Sequence, residues 1–85
     1  AAFDLGTNTF LALVAELDGR GELRVVDDAF RTPRLGAGLA RTGRIEPAGL
    51  ERGVAALREL LAVVDRHGVP LEQRVAVGTA VFRRA

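Results

Sequence analysis

The pattern of apolar and polar positions divides this chain into short segments. Ala1 to Leu5 is a mostly apolar run closed by Gly6, and Phe10 to Leu17 is apolar at seven of its eight positions. Runs of this length and bounding predict strands, and their continuity predicts burial on both faces. Gly6-Thr7-Asn8-Thr9 between them has a turn composition, so the first two strands form a hairpin. Asp18-Gly19-Arg20-Gly21 signals a second hairpin turn. Glu22 to Arg31 follows, with Leu23, Val25 and Val26 alternating imperfectly with charge: a third strand near a sheet edge, bulged around Asp27-Asp28.

Thr32 to Leu39 is rich in Gly and broken by Pro33, a loop that Arg41-Thr42-Gly43-Arg44 continues. Pro47 suits the first turn of a helix. From there Leu50, Val54, Leu57, Leu61 and Val64 fall on one stripe of an amphipathic helix. Gly49 and Gly53 each weaken that helix by about 1 kcal/mol relative to Ala, and close packing of Gly53 against a sheet is a reason to keep it. Arg66 and His67 suit the negative end of the helix dipole, and Gly68 suits a left-handed cap. Arg74 to Gly78 carries a fourth short strand, and Thr79 caps a helix just begun when the sequence stops at Ala85. The order β-β-β-α-β-(α) implies a mixed sheet: three antiparallel strands and a fourth parallel to the first. The start at Ala1 and the stop inside an element predict a piece of a longer protein.

Composition narrows the function classes. The net charge is +1; all twelve cations are arginine and nearly balance eleven acids, so no overall field holds nucleic acid or a membrane. The absence of lysine excludes a Walker-type phosphate loop. With no cysteine there is neither a disulfide framework nor a thiolate metal site, and the default compartment is cytoplasmic. No apolar run approaches the ~20 residues that span a bilayer. Four Phe without Trp or Tyr argue against base stacking.

The candidate chemistry lies in Asp4-Leu5-Gly6-Thr7-Asn8-Thr9. Gly6 permits unusual backbone angles, successive amide N–H groups in a tight turn converge on an anion, and Thr7, Asn8 and Thr9 add uncharged donors. Asp4 can hold a divalent cation beside bound phosphates. An ordinary hairpin with Asp4 bonded to its own turn is the competing reading. Gly78-Thr79, where the fourth strand opens into a helix, offers free N–H groups, and Arg83 offers a bidentate phosphate contact. A plain helix cap with a solvated arginine competes there. The two turns share one sheet edge if the first and fourth strands are neighbours. Arg34-Leu35-Gly36-Ala37-Gly38-Leu39 reads as a structural loop, His67 as a cap residue rather than a base, and Asp27-Asp28 as a solvated bulge.

Three segments together resemble one family. Asp4-Leu5-Gly6-Thr7-Asn8-Thr9-Phe10 looks like the first phosphate motif of the exopolyphosphatase/guanosine pentaphosphate phosphohydrolase (Ppx/GppA) family. Arg34 to Leu39, with Thr42-Gly43 and Glu51 to Leu57, is similar to the stretch that follows it. Val75 to Ala85 resembles the family's Thr-Ala-x-x-Arg-x-Ala segment. The resemblance implies an α/β ribonuclease-H-like fold of the actin-like ATPase superfamily, with residues 1–85 as the N-terminal part of the first of two lobes. It implies release of terminal phosphate from inorganic polyphosphate or pppGpp with a divalent metal, usually Mg²⁺. By that match Gly6, Thr7, Asn8, Thr9 and Arg83 bind phosphate and Asp4 helps hold the metal. The general base and a second phosphate loop belong to later segments, so residues 1–85 are expected to be inactive alone. Nucleic acid and membrane are not expected partners, and a homodimer of the full-length protein is compatible with the family. Where many members carry a basic or polar residue after the Phe, this chain has Leu11. An ATP-dependent sugar kinase of the same superfamily and a non-hydrolytic pppGpp or polyphosphate sensor are the alternatives.

Overall fold

The computed structural model describes residues 1–37 and 43–78. The chain forms β1 (Ala2–Leu5), β2 (Phe10–Leu17), β3 (Leu23–Arg31), α1 (Pro47–Arg66), a 3₁₀ turn (Leu71–Gln73) and β4 (Val75–Gly78). The strands make one sheet in the order β3-β2-β1-β4. β1 pairs antiparallel with β2, β2 antiparallel with β3, and β4 parallel with β1. This is the expected mixed sheet, with β3 at its edge. The helix expected from Thr79 onward lies outside the described residues.

The β2–β3 hairpin closes through the Asp18 side chain, whose Oδ1 accepts the N–H groups of Arg20 and Glu22 at 2.8 and 3.0 Å. The bulge in β3 falls one residue before the expected Asp27-Asp28. Val14 pairs with Asp27 and Ala15 with Val25, leaving Val26 between them unpaired. Asp27 is not simply solvated there: His67 Nε2 lies 2.8 Å from its Oδ2. His67 thus ties the end of α1 to the bulge as well as ending the helix, and Gly68 follows at φ +67°.

One face of the sheet is covered. Phe3, Phe10, Ala12 and Val14 point toward α1 and pack with Leu35, Ala56, Leu60 and Val64 as the core. The other face is open, so β2 is not buried on both sides as its apolar run predicts. Leu11 and Leu13 alternate outward, and Phe30 and Val77 are 62% and 60% exposed. The reason is that the only long helix among the described residues lies on a single face.

The helix also faces the core differently from expectation. Its buried line is Gly49, Gly53, Ala56, Leu60, Val63 and Val64, while Leu50 and Val54 are exposed. The stripe is turned by one residue, about 100° of helix. The small residues cause this. A Cβ on Gly53 would lie 2.9 Å from Leu35 Cδ2 and 3.8 Å from Phe10 Cζ. The helix backbone therefore comes directly against Leu35 and Phe10, closer than a leucine stripe would allow.

Candidate functional site

Three segments end at one edge of the sheet. The register pairs Leu5 with Phe10 across the β1–β2 turn, Leu5 with Gly78 on the other side, and Phe10 with Arg31. The turn at 6–9, the loop after β3 and the exit of β4 therefore share this edge. The two turns that sequence analysis singled out do come together as far as Gly78. Thr79 and Arg83 lie outside the described residues.

The 6–9 turn is closed by Gly6 N–H donating to Thr9 O at 3.0 Å. A Cβ on Gly6 would stand 2.8 Å from that same carbonyl oxygen. Close approach, not unusual backbone angles, is thus what selects glycine here: the described glycines with positive φ are Gly21, Gly43 and Gly68.

The loop after β3 buttresses the turn, a role not visible in its composition. Arg34 N–H donates to Asn8 O and Gly36 N–H to Thr7 O, both at 3.1 Å. Gly36 presses so near that a Cβ there would lie 2.6 Å from Thr7 Cγ2. Leu35 between them is a core residue at 2% exposure. Arg52 of α1 fixes the loop from the other side, its Nε donating to Pro33 O at 2.7 Å and its Nη2 to Arg34 O at 3.2 Å.

These bonds orient the turn's donors. The peptide bonds are trans, so each N–H points opposite the C=O of its own peptide unit. With the carbonyls of Thr7 and Asn8 drawn onto the loop, the N–H groups of Asn8 and Thr9 point away from it. Neither N–H donates to a carbonyl among the described residues. Two adjacent amide donors facing the same way, with the hydroxyls of Thr7 and Thr9 and the amide of Asn8 beside them, are an arrangement chemically able to receive an anion.

Asp4 is exposed at the end of β1, on the open face of the sheet. It borders an open groove of about 590 Å³ with Ala2, Leu11, Leu13, Phe30 and Val77. No cluster of three or more His, Asp or Glu suited to a metal occurs among the described residues. That does not exclude Mg²⁺, which takes one or two carboxylates and completes its shell with water and substrate phosphate. An exposed aspartate near such a turn is compatible with that requirement.

Asp27 is the one described group whose acidity is clearly displaced. The His67 hydrogen bond holds its carboxyl below the ordinary carboxylate range; loss of hydration is the main opposing effect, and the Asp28 N–H and the positive charges of His67 and Arg66 add to the lowering. This pair is remote from the 6–9 turn: Asp27 lies four positions along β3 from Arg31, which pairs with Phe10 at the turn's edge of the sheet.

Comparison with known proteins gives a consistent picture. Exopolyphosphatase 2 of Mycobacterium tuberculosis is 35% identical over 83 residues, covering 94% of this chain and 26% of the relative. The crystal structure of an Aquifex aeolicus Ppx/GppA phosphatase superposes with a TM-score of 0.86 at 27% identity, over 99% of this chain and 27% of that one. An exopolyphosphatase from Cytophaga hutchinsonii superposes with a TM-score of 0.88 at 25% identity, over 99% and 26%. The fold is thus the ribonuclease-H-like one of the actin-like ATPases, in part. No protein-family model matches. The chain spans about a quarter of the length of the relatives it matches.

Proposed function

We propose, from its similarity to about a quarter of the length of exopolyphosphatase and Ppx/GppA phosphatase relatives, that this chain belongs to that family and that residues 1–85 are the phosphate-gripping part of the first lobe of a phosphoanhydride hydrolase. Its substrate is inorganic polyphosphate, pppGpp or both. The observation that carries this reading is the outward pair of amide donors at Asn8 and Thr9, set by a loop that occupies the carbonyls behind them.

In the proposed mechanism the Asn8 and Thr9 N–H groups bind oxygens of one phosphate of the chain. The hydroxyls of Thr7 and Thr9 and the Asn8 amide complete its shell. Such donors are already oriented, so charge building on the phosphate oxygens during P–O cleavage is met without reorganisation. Arg83, five residues after Gly78 in sequence, is proposed to grip the same phosphate chain, because Gly78 at the end of β4 stands beside Leu5. Asp4 would hold Mg²⁺, which when bound offsets negative charge on the phosphates. The carboxylate that activates water comes from the remainder of the protein, outside this chain.

The test is orthophosphate release by the full-length protein with Mg²⁺, using polyphosphate and pppGpp in parallel. Release from either supports the hydrolase reading, and the faster substrate identifies the preference. Turnover of ATP only when a sugar is added would overturn it in favour of a kinase. Tight binding of pppGpp or polyphosphate without reaction would overturn it in favour of a sensor.

A further inference from the structure

Behind the phosphate turn, the loop that buttresses it carries an arginine in an unusual state. Arg34 is the one non-glycine residue among those described with a positive φ, at 54°. A side chain in this left-handed region is disfavoured and persists only where surrounding bonds impose it. Those bonds are identified: Arg34 N–H to Asn8 O, Arg34 O to Arg52 Nη2, and Pro33 O to Arg52 Nε. Glycine would take this conformation without strain, yet the position holds a long cation.

The surroundings of that cation differ from those of the ion-paired arginines. Arg24 pairs with Glu16, Arg31 with Glu59 and Arg74 with Asp65. Arg34 makes no side-chain hydrogen bond or ion pair among the described residues. It borders an open cavity of about 530 Å³ together with Thr32, Ala37 and Arg52. Among the described residues that lining holds two guanidinium groups, a hydroxyl and no carboxylate. Arg52 Nε and Nη2 donate to the loop carbonyls, while the Arg34 guanidinium is exposed toward the cavity. The cavity adjoins the loop whose backbone is bonded to the 6–9 turn.

We infer that Arg34 binds a further phosphate of the same linear polyphosphate, as a chain-length-selecting contact. This rests on the proposed reading of the 6–9 turn and adds a residue and a substrate feature to it. A guanidinium forms paired hydrogen bonds to phosphate, and the Arg52 clamp keeps its backbone fixed before substrate arrives. A short substrate filling only the turn does not reach it.

The experiment compares Arg34→Gly with the unaltered full-length protein, using tripolyphosphate and a long-chain inorganic polyphosphate as substrates. Glycine suits the φ of 54°, so this variant removes the guanidinium while keeping the backbone. The expected result is an increase of about tenfold or more in KM for the long chain, the scale of one charge-assisted contact. Its kcat stays near the original, both constants for tripolyphosphate are unchanged, and Arg34→Lys recovers part of the loss. Unchanged KM for the long chain overturns the inference. Equal losses on both substrates, accompanied by a lower melting temperature, assign Arg34 a structural role and also overturn it. Asn8→Ala is measured alongside. Loss of turnover in that variant with no effect at Arg34 leaves the turn reading standing without the inference, whereas no effect of Asn8→Ala removes both.

Discussion

At the scale of single residues, the site depends on contacts between atoms far apart in sequence. Gly36 touches Thr7 because the loop after β3 is hydrogen-bonded to the turn before β2. A Cβ at Gly36 would meet Thr7 Cγ2 at 2.6 Å, so Gly36→Ala displaces either the loop or the turn. The expected cost is about 1–3 kcal/mol of stability, the usual range for overpacking, together with weaker phosphate binding. Adding Thr7→Ser removes the opposing methyl and recovers most of the loss. Chemical denaturation of the four proteins of that cycle measures the coupling. The Asp27–His67 pair predicts a pH effect. Because Asp27 is more acidic folded than unfolded, its contribution is present above the ordinary aspartate pKa and is lost as pH falls through the lowered folded value. Carboxyl-carbon NMR should find Asp27 titrating below the ordinary range, and His67→Gln should move it back toward that range. An unmoved titration curve would remove the hydrogen bond as its cause.

At the scale of elements, the sequence pattern identifies the four strands and the long helix of the described residues, because strand runs and helical periodicity are local signals. The bulge beside Asp27 and the Gly68 cap are legible for the same reason. The facing of α1 is not. Leu50 and Val54 look like core positions by spacing, but the helix turns Gly49, Gly53 and Ala56 inward to admit Leu35 and Phe10. Leu35 itself is hidden by its neighbours: an apolar residue in a Gly- and Arg-containing loop gives no periodic signal, yet it is almost fully buried. In the candidate site the turn is legible from Gly6 to Thr9, but the loop that orients it is not, since that depends on backbone bonds between residues some thirty positions apart. The packing account separates two glycines of one helix. Gly53→Val is expected to destabilise by about 1–3 kcal/mol, as its side chain must displace Leu35. Gly49→Ala meets only ordinary contacts at 3.5 Å and beyond, and is expected to be neutral or stabilising by at most about 1 kcal/mol. Thermal unfolding of both variants checks the contrast, and similar losses at the two sites would contradict the close approach at Gly53.

At the scale of the whole molecule, the sheet has one covered and one open face. The open face combines Leu11, Leu13, Phe30 and Val77 with Asp4 at its end. Since the chain spans about a quarter of its relatives' length, the remainder of the full-length protein is the proposed cover of this face. Residues 1–85 are accordingly expected to release no orthophosphate alone. No helix among the described residues is long and apolar enough to cross a membrane. The central claim is that the outward amides and side chains of the 6–9 turn hold phosphate during hydrolysis. Its most direct measurement is Mg²⁺-dependent orthophosphate release from inorganic polyphosphate by the full-length protein, with and without Asn8→Ala. The account predicts release by the unaltered protein and a fall of about 10²-fold in the variant, the scale of losing one oriented donor. Equal rates from the two proteins would contradict it.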